Sequence, residues 1–311
     1  MAYSVSVNAD ETYILFGIEK GFKVYNADSQ KLMVWRDVGP VTAVRVLCSS
    51  NIFAFVGFDK RKLTFWNDET KKRSAEIAFP RIITQFLFGR TKIVVSTDEK
   101  TYVYDLETLK LLGSYETTHN PHGSIAVNND RAQHVFAFPG MKQGYVHVLR
   151  NGISSFVKAH NGVLRILSLN REGNFLATCS EKGTAIRVFD TLSGERVANF
   201  RRGKTETRIN HISWSKDSKL LCVSSERGTS HIFKITGSRQ NSALSGILPE
   251  PLSDYANSES SWCVARYLHP KGISLLSEDS TLRHFGIDET VSECVIPEDG
   301  GEAIFLEQRK L

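Results

Sequence analysis

The sequence predicts an all-β chain folded as a single seven-bladed β-propeller of the WD-repeat type. A short strand with a β-branched or aromatic pair recurs at intervals of 38 to 52 residues. Its second residue is Tyr25, Trp66, Tyr104, Leu149, Phe189, Phe233 and Phe285. A repeat of about 40–45 residues with several strands per unit is typical of a propeller blade. Because seven units fill the 311 residues without any stretch of helical period, we expect one domain over residues 1–311.

Each unit has the same order of strands. An alternating strand comes first, as in VTAVRVL (41–47), and a second apolar strand follows a polar turn, as in NFLATCS (174–180). The strand with the aromatic pair is third, and a turn leads to a fourth strand, as in FDTLSGERVANF (189–200). The terminal segment EAIFLEQRK (302–310) either completes the last blade or pairs with the N-terminal strand near Ser4–Asn8 to close the ring.

Residues 236–261 interrupt the repeat and predict a long loop inserted in the sixth blade. The segment is rich in serine, and Pro249 and Pro251 prevent a long helix. Its middle carries four apolar residues, Leu244, Ile247, Leu248 and Leu252. Such a cluster either contacts a membrane or a partner, or folds back on its own blade.

The composition indicates a soluble protein of the cytoplasm. The net charge of +5 permits an anionic partner but is far below that of a dedicated nucleic-acid binder. The five cysteines are widely spaced without a CxxC pair, which favours a reducing compartment over disulfides or zinc. The sequence shows no signal peptide and no apolar run long enough to span a bilayer, so we expect any membrane contact to be peripheral.

An arginine pair follows the fourth strand of the fifth blade, in Phe200-Arg201-Arg202-Gly203. Successive side chains of a strand point to opposite faces, so the two guanidinium groups are expected to diverge. A guanidinium group is planar and can donate two hydrogen bonds to one phosphate at once.

Two similar turns flank this arginine pair. Ser180, Gly183, Thr184 and Arg187 lie on or beside one turn, and Ser225, Gly228, Thr229 and His231 hold the matching positions in the sixth blade. Glycine lets a backbone N–H approach an anion closely, and the hydroxyl groups add donors. A single copy of this pattern is an ordinary hairpin turn, but two copies beside an arginine pair favour two sites for an inositol phosphate headgroup.

These segments resemble the PROPPIN family of phosphoinositide-binding propellers. The resemblance lies in FRRG, preceded by SEKGT-x-IR and followed by SS-x-x-GT-x-HIF, and extends to EKGFKVYN (19–26), NIFAFVG (51–57), HNPHG (119–123) and FAFPG (136–140). It implies a non-enzymatic protein that binds phosphatidylinositol 3-phosphate and the 3,5-bisphosphate. It also implies a role in autophagy and endolysosomal traffic, a peripheral location on autophagic, endosomal or vacuolar membranes, and partners such as the autophagy lipid-transfer protein. We expect a monomer in solution, without a cofactor or metal.

The resemblance also assigns residues to two lipid sites. The first site would comprise Ser180, Gly183, Thr184, Arg187 and Arg201. The second would comprise Arg202, Gly203, Ser225, Thr229 and His231. The loop at 236–261 falls where the family inserts a membrane-contacting loop.

Two other classes of function remain open on the residues alone. A WD-type interaction scaffold would use the arginine pair to bind an acidic peptide. An enzyme would need a nucleophile, phosphate or dinucleotide motif, and the sequence shows none of these. His119 and His122 have the spacing of metal ligands but lack a third zinc-type partner, which favours loop packing.

Overall fold

The computed structural model describes residues 2–130, 133–235, 258–266 and 268–311. Every regular element in these ranges is a β-strand, and the strands form seven sheets, here numbered as blades 1 to 7 in chain order. The all-β, seven-bladed propeller predicted from the repeat is therefore confirmed. The segment 236–257, with Leu244, Ile247, Leu248 and Leu252, lies outside the described residues.

Blades 1 to 4 each contain four consecutive antiparallel strands. Blade 1 comprises β1 (Ala2–Val7), β2 (Tyr13–Ile18), β3 (Gly21–Asn26) and β4 (Leu32–Asp37). Blade 2 comprises β5 (Ala43–Val46), β6 (Ile52–Val56), β7 (Lys62–Asn67) and β8 (Lys72–Ala78). Blade 3 comprises β9 (Ile83–Phe88), β10 (Lys92–Thr97), β11 (Lys100–Asp105) and β12 (Leu111–Glu116). Blade 4 comprises β13 (Ala126–Val127), β14 (Val135–Pro139), β15 (Tyr145–Arg150) and β16 (Ile153–Lys158).

Blades 5 and 6 each gain a short parallel strand from a later part of the chain. Blade 5 comprises β17 (Leu164–Leu169), β18 (Phe175–Ser180), β19 (Ala185–Asp190), β20 (Arg196–Arg201) and β24 (Glu259–Ser260). Blade 6 comprises β21 (Ile209–Trp214), β22 (Leu220–Ser225), β23 (Thr229–Lys234), β25 (Cys263–Ala265) and β29 (Gly301–Glu302). Blade 7 comprises β26 (Gly272–Leu276), β27 (Thr281–Gly286), β28 (Thr290–Val295) and β30 (Ile304–Lys310).

The C-terminal strand completes the last blade. β30 pairs antiparallel with β28, and Thr290 lies opposite Lys310. The inner strand β1 pairs with β2 of its own blade. Of the two placements predicted for the terminal segment, the structure therefore has the first, and the described strands form no sheet shared between blades 1 and 7.

The core of the described chain is a series of seven apolar clusters, each lying between two neighbouring blades. The second strand of a blade is covered on both faces, which is why Ile14, Leu15 and Phe16 of β2 are all fully buried. In the sequence, a strand buried on both faces is a continuous run of apolar residues. The outer strands instead alternate apolar and polar residues or are polar throughout. One blade alone would leave these faces in water.

Among the described residues, packed side chains close the ring between blades 7 and 1. Ile14 and Phe16 pack with Ile273 and Phe285 in one cluster. At the edge of this interface Lys23 Nζ lies 2.6 Å from Glu289 Oε2. The blade 7–blade 1 contact is therefore an interface of the same kind as the other six.

No helix in the described ranges has the length and apolar character that crossing a bilayer requires.

We expect Phe285→Ala to lower the free energy of unfolding by about 3–5 kcal/mol, because it leaves a cavity at the closing interface. Phe285 is fully buried, whereas Phe305 on β30 is 42% exposed. The matched control Phe305→Ala should change stability by less than about 0.5 kcal/mol. Urea unfolding followed by circular dichroism measures the stability of both variants. Equal losses of stability would show that Phe285 at the closing interface contributes no more to stability than Phe305.

Candidate anion-binding site

The arginine pair diverges at the end of β20, as the alternation of strand side chains predicts. Arg201 is the last residue of β20 and lies opposite Ala185, on the face shared with Arg187. Arg187 Nη1 donates to the carbonyl of Ala159, 2.5 Å away, so this face is turned toward blade 4. Phe200 is on the other face and stacks on Phe233 of blade 6 at a centroid distance of 4.7 Å.

The turn between β18 and β19 gathers the other residues predicted for the first site. Gly183 has a φ of +62° and donates its backbone N–H to the carbonyl of Ser180 at 3.0 Å. A Cβ at Gly183 would lie 2.0 Å from the carbonyl oxygen of Thr207, so only glycine fits the turn. Thr184 follows on this turn, and Arg187 lies on β19 beside it. The structure therefore brings this set together at one end of blade 5.

Arg202 is bonded to this same turn. Its side chain is 7% exposed, and Nε donates to the carbonyl of Gly183 at 2.9 Å. Nη2 donates to the carbonyl of Thr205, and the backbone N–H donates to the carbonyl of Thr184 at 2.9 Å. Burial, with the positive charge of Arg227, lowers the pKa of the Arg202 guanidinium. Arg202, which the resemblance assigns to the second site, thus also holds the turn of the first site in place.

Ser225, Thr229 and His231 of the second site lie on blade 6. Ser225 Oγ and Thr229 Oγ1 are 3.0 Å apart, and Thr229 and His231 share one face of β23. His231 Nδ1 lies 3.3 Å from Ser261 Oγ, and its ring stacks near Phe233. Burial, together with the charges of Arg202 and Arg266, lowers the pKa of His231 to about 4. His231 is therefore a neutral ring at pH 7, close to two cations.

The structure adds residues that the sequence analysis did not select. β24 runs parallel to β20 and places Ser260 beside Arg201, while Ser261 contacts His231. Arg266 follows β25 and lies 3.1 Å from Glu302 Oε1. The serine run at 258–261 is visible in the sequence as part of the predicted loop, but only strand pairing brings it to the arginines. Arg266 has no motif around it that would have distinguished it.

Gly203 holds a different position from Gly183. A Cβ at Gly203 would meet no atom within 4 Å. The structure therefore gives Gly203 no steric reason to be glycine.

The described residues contain no group of three or more His, Cys, Asp or Glu side chains arranged to hold a metal. In HNPHG, His122 Nε2 lies 2.7 Å from Glu181 Oε1 and Nδ1 lies 3.3 Å from Arg165 Nη1, so this histidine packs a loop. All five cysteines are unbridged, and burial raises the pKa of the Cys179 thiol to about 12.

The fold and this arrangement define a seven-bladed propeller with a polar, cation-bearing rim at blades 5 and 6. The sequence profile of the PROPPIN family matches residues 2–259, and the chain belongs to this family.

Relatives from distant organisms align along much of the chain. Autophagy-related protein 18e of Arabidopsis thaliana is 30% identical over 98% of this chain and 87% of its own length. SVP1-like protein 2 of Neurospora crassa is 34% identical over 75% of this chain, but the match spans only 56% of that protein. Autophagy-related protein 18 of Dictyostelium discoideum is 31% identical over 77% of this chain and 66% of its own length.

Solved structures support the fold at low sequence identity. Hsv2 of Kluyveromyces marxianus superposes with a TM-score of 0.83 at 22% identity, over 100% of this chain and 98% of that one. KlAtg21, solved in complex with the coiled coil of AgAtg16, superposes with a TM-score of 0.80 at 21% identity, over all of both chains.

We expect Gly183→Ala to destabilise the fold, whereas Gly203→Ala should be tolerated. The positive φ alone costs an alanine about 1–2 kcal/mol, and the contact with Thr207 adds to this. Urea unfolding of the two single variants gives the comparison. If Gly203→Ala lowered the free energy of unfolding as much as Gly183→Ala, the backbone geometry of the Gly183 turn would not be the cause of the loss.

We expect His231 to make the protein less stable as the pH falls from 6.5 toward 4. In this window the unfolded chain binds a proton that the folded state excludes, so stability decreases as the pH falls. The slope due to one such group is at most about 1.4 kcal/mol per pH unit. Unfolding curves of wild type and His231→Gln between pH 7 and 4.5 test this, and identical pH dependence of the two would refute the assignment.

Proposed function

We propose that this chain is a phosphoinositide effector in autophagy and endolysosomal traffic. It binds phosphatidylinositol 3-phosphate and the 3,5-bisphosphate at two rim sites on blades 5 and 6 and recruits protein partners to those membranes. The observation that carries the proposal is the divergence of Arg201 and Arg202 beside two glycine-containing hydroxyl turns. We propose no catalytic step.

At the first site, Arg201 and Arg187 supply positive charge on the blade 4 side of blade 5. Ser180, Thr184 and the backbone of the Gly183 turn supply neutral donors. At the second site, Thr229 and Ser225 supply hydroxyl groups and His231 supplies a neutral ring nitrogen. Arg202 lies between the two sites, so its guanidinium contributes charge to the second while it fixes the turn of the first.

Two headgroups on one rim bind more tightly than either alone. The second contact forms at the high effective concentration created by the first. Cations near an anionic leaflet add roughly 1 kcal/mol each. The propeller would therefore stand on the rim formed by blades 5 and 6.

The ends of the inserted loop support its role in membrane contact. The described chain leaves blade 6 at Ile235, at the end of β23 opposite Thr229, and returns at Glu259–Ser260 beside Arg201. The apolar residues Leu244, Ile247, Leu248 and Leu252 lie between these ends in the sequence. A segment whose returning end lies beside Arg201 is well placed to add apolar contact to headgroup binding.

Protein partners are a further part of the proposal. The related KlAtg21 was solved with a coiled coil of AgAtg16, and the outer strands of this chain carry exposed apolar side chains, such as Met33 and Trp35 on β4. We propose that blades away from the lipid rim bind traffic proteins, among them coiled-coil or lipid-transfer proteins. The competing function, an acidic-peptide scaffold, would use the same arginines without lipid selectivity.

Vesicle flotation tests the lipid sites. We expect wild type to float with vesicles that carry phosphatidylinositol 3-phosphate or the 3,5-bisphosphate, and not with phosphatidylinositol or its 4-phosphate. Arg201→Thr should weaken binding roughly tenfold, because a hydrogen bond to a charged group contributes about 1.5–3 kcal/mol. Thr229→Ala/His231→Ala should weaken it similarly, and the combined variant should not float.

Arg196→Thr is the matched control, since Arg196 is an exposed residue at the opposite end of β20. It removes the same charge and should float like wild type. An equal loss in this control, or equal flotation with all anionic lipids, would contradict the two-site proposal and favour the acidic-peptide scaffold. Circular dichroism of each variant reports whether the fold is retained.

A further inference from the structure

An aromatic stack leads from the core to the surface in the groove between blades 3 and 4. Phe138 of β14, His147 of β15 and Phe156 of β16 lie opposite one another in the strand register. The ring centroids of Phe138 and His147 are 4.6 Å apart, and those of His147 and Phe156 are 4.5 Å apart. Tyr115 of β12 lies on the facing wall, 5.4 Å from the His147 ring. The two blades therefore border one aromatic groove.

Exposure increases along this stack toward the solvent. Phe138 is fully buried, His147 is 8% exposed and Phe156 is 61% exposed. Burial lowers the pKa of His147, so its ring is neutral at pH 7. Its Nε2 lies 2.8 Å from Ser154 Oγ, which fixes the ring. Phe156 therefore rests on a fixed aromatic base and presents most of its own ring to water.

One end of the groove lies at the turn between β14 and β15. A Cβ at Gly140 would lie 3.6 Å from Tyr145 Cβ and 3.7 Å from Phe156 Cδ1, so Gly140 is on the floor between these two side chains. The backbone N–H of Thr118 donates to the Gly140 carbonyl at 2.8 Å and ties the chain that follows β12 to this turn. Met141, the next residue of the turn, is 77% exposed. This end of the groove is therefore both structured and apolar.

Two lysines stand at the same end of the groove. Lys142 Nζ lies 5.0 Å from the ring centroid of Tyr145, and Lys158 is directly opposite Tyr145 in the strand register. Within the described ranges neither lysine is paired with a carboxylate. Glu116 of β12 follows Tyr115 and so points to the other face of its strand, where it lies 2.7 Å from Lys100 Nζ. The groove therefore combines aromatic surface with positive charge that is available to a partner.

This combination indicates the chemistry of the partner. Well-packed aromatic side chains are the usual energetic centres of protein interfaces, and surrounding charges select the partner. An apolar side chain of the partner has a platform in Phe156, and the two lysines are complementary to aspartate or glutamate. A short acidic segment with an aromatic residue matches both features.

The position of the groove favours a protein over a bilayer. Seven blades divide the ring into steps of about 51°. The groove between blades 3 and 4 is two steps, about 100°, from the boundary between blades 5 and 6. This step rests on the proposed function, in which the rim at blades 5 and 6 faces the membrane. A groove turned so far from the membrane stays accessible to a partner while lipid is bound.

We propose that the groove between blades 3 and 4 binds an acidic peptide segment of a protein partner. An aromatic side chain of the segment packs against Phe156, and its carboxylates lie beside Lys142 and Lys158. The segment does not use the arginine pair of the rim, so lipid and partner bind at the same time.

Selection from random peptides displayed on phage tests the groove. Wild type is the bait, and peptides that also bind Phe156→Ser/Lys158→Glu are removed. We expect the enriched peptides to carry an aromatic residue next to several Asp or Glu residues. Failure to obtain peptides that distinguish the two baits would overturn the proposal, and so would enriched peptides that lack acidic residues.

Fluorescence anisotropy with the most enriched peptide, synthesised with a fluorescent label, gives the affinities. Phe156→Ser should weaken binding at least about tenfold, because it removes the central aromatic contact. Lys142→Glu and Lys158→Glu should each weaken it roughly threefold, the size of an exposed ion pair. Added NaCl should weaken binding to wild type, since salt screens exposed charges.

The matched controls are Trp35→Ser and Lys72→Glu, which change an exposed aromatic residue and an exposed lysine on the outer strands β4 and β8. Both should bind the peptide within about twofold of wild type. Losses in these controls equal to those of the groove variants would overturn the proposal. Thermal melting of each variant shows that it is folded before it is titrated.

Three further measurements separate this groove from other occupants and from the lipid sites. Phe156→Ser should float with phosphatidylinositol 3-phosphate vesicles as wild type does, and a loss would mean that the groove contacts the bilayer. It should also sediment like wild type, because self-association of wild type that this variant abolishes would make a second copy the occupant. Arg201→Thr should bind the peptide like wild type even where it no longer floats. The opposite result in any of the three would overturn the groove proposal, whereas failure of the rim variants to affect flotation would count against the lipid sites alone.

Discussion

The packing of one blade against the next is the constraint on which the rest of this structure depends. Each sheet has two apolar faces, and both are covered only when a neighbour stands on each side. The ring must therefore be complete, and here side chains such as Phe16 and Phe285 complete it without a shared sheet. The candidate rim site follows from this arrangement, since the blade interfaces set the spacing of the rim turns.

Arg202 shows how closely the fold and the rim site are linked. Its guanidinium donates to the carbonyl groups of Gly183 and Thr205. The sequence motif assigns this arginine to ligand binding, but its side chain also holds the backbone of the turn in place. Arg201, on the opposite face of the blade, is half-buried and lies beside Ser260. A double substitution of the pair therefore combines a change in stability with a change in binding, and single substitutions separate the two effects.

The protein itself holds the positive charge of the rim in place. Arg187 and Arg202 already donate to backbone carbonyls, which orients them before a ligand arrives. Preorganised donors favour a headgroup that docks from outside.

The sequence by itself determined the all-β class, the number of blades and the turns at 180–184 and 225–229, because short-range alternation and the 38–52-residue repeat are local properties. It also predicted that Arg201 and Arg202 diverge, since that follows from strand geometry. Only the tertiary structure decided that Ser261 and Arg266 join His231, that β30 completes blade 7, and that Lys23 pairs with Glu289. Those contacts join residues up to 266 positions apart (23 and 289). No local pattern records them, because ring closure and strand pairing across blades bring distant segments together only after every blade has found its neighbour.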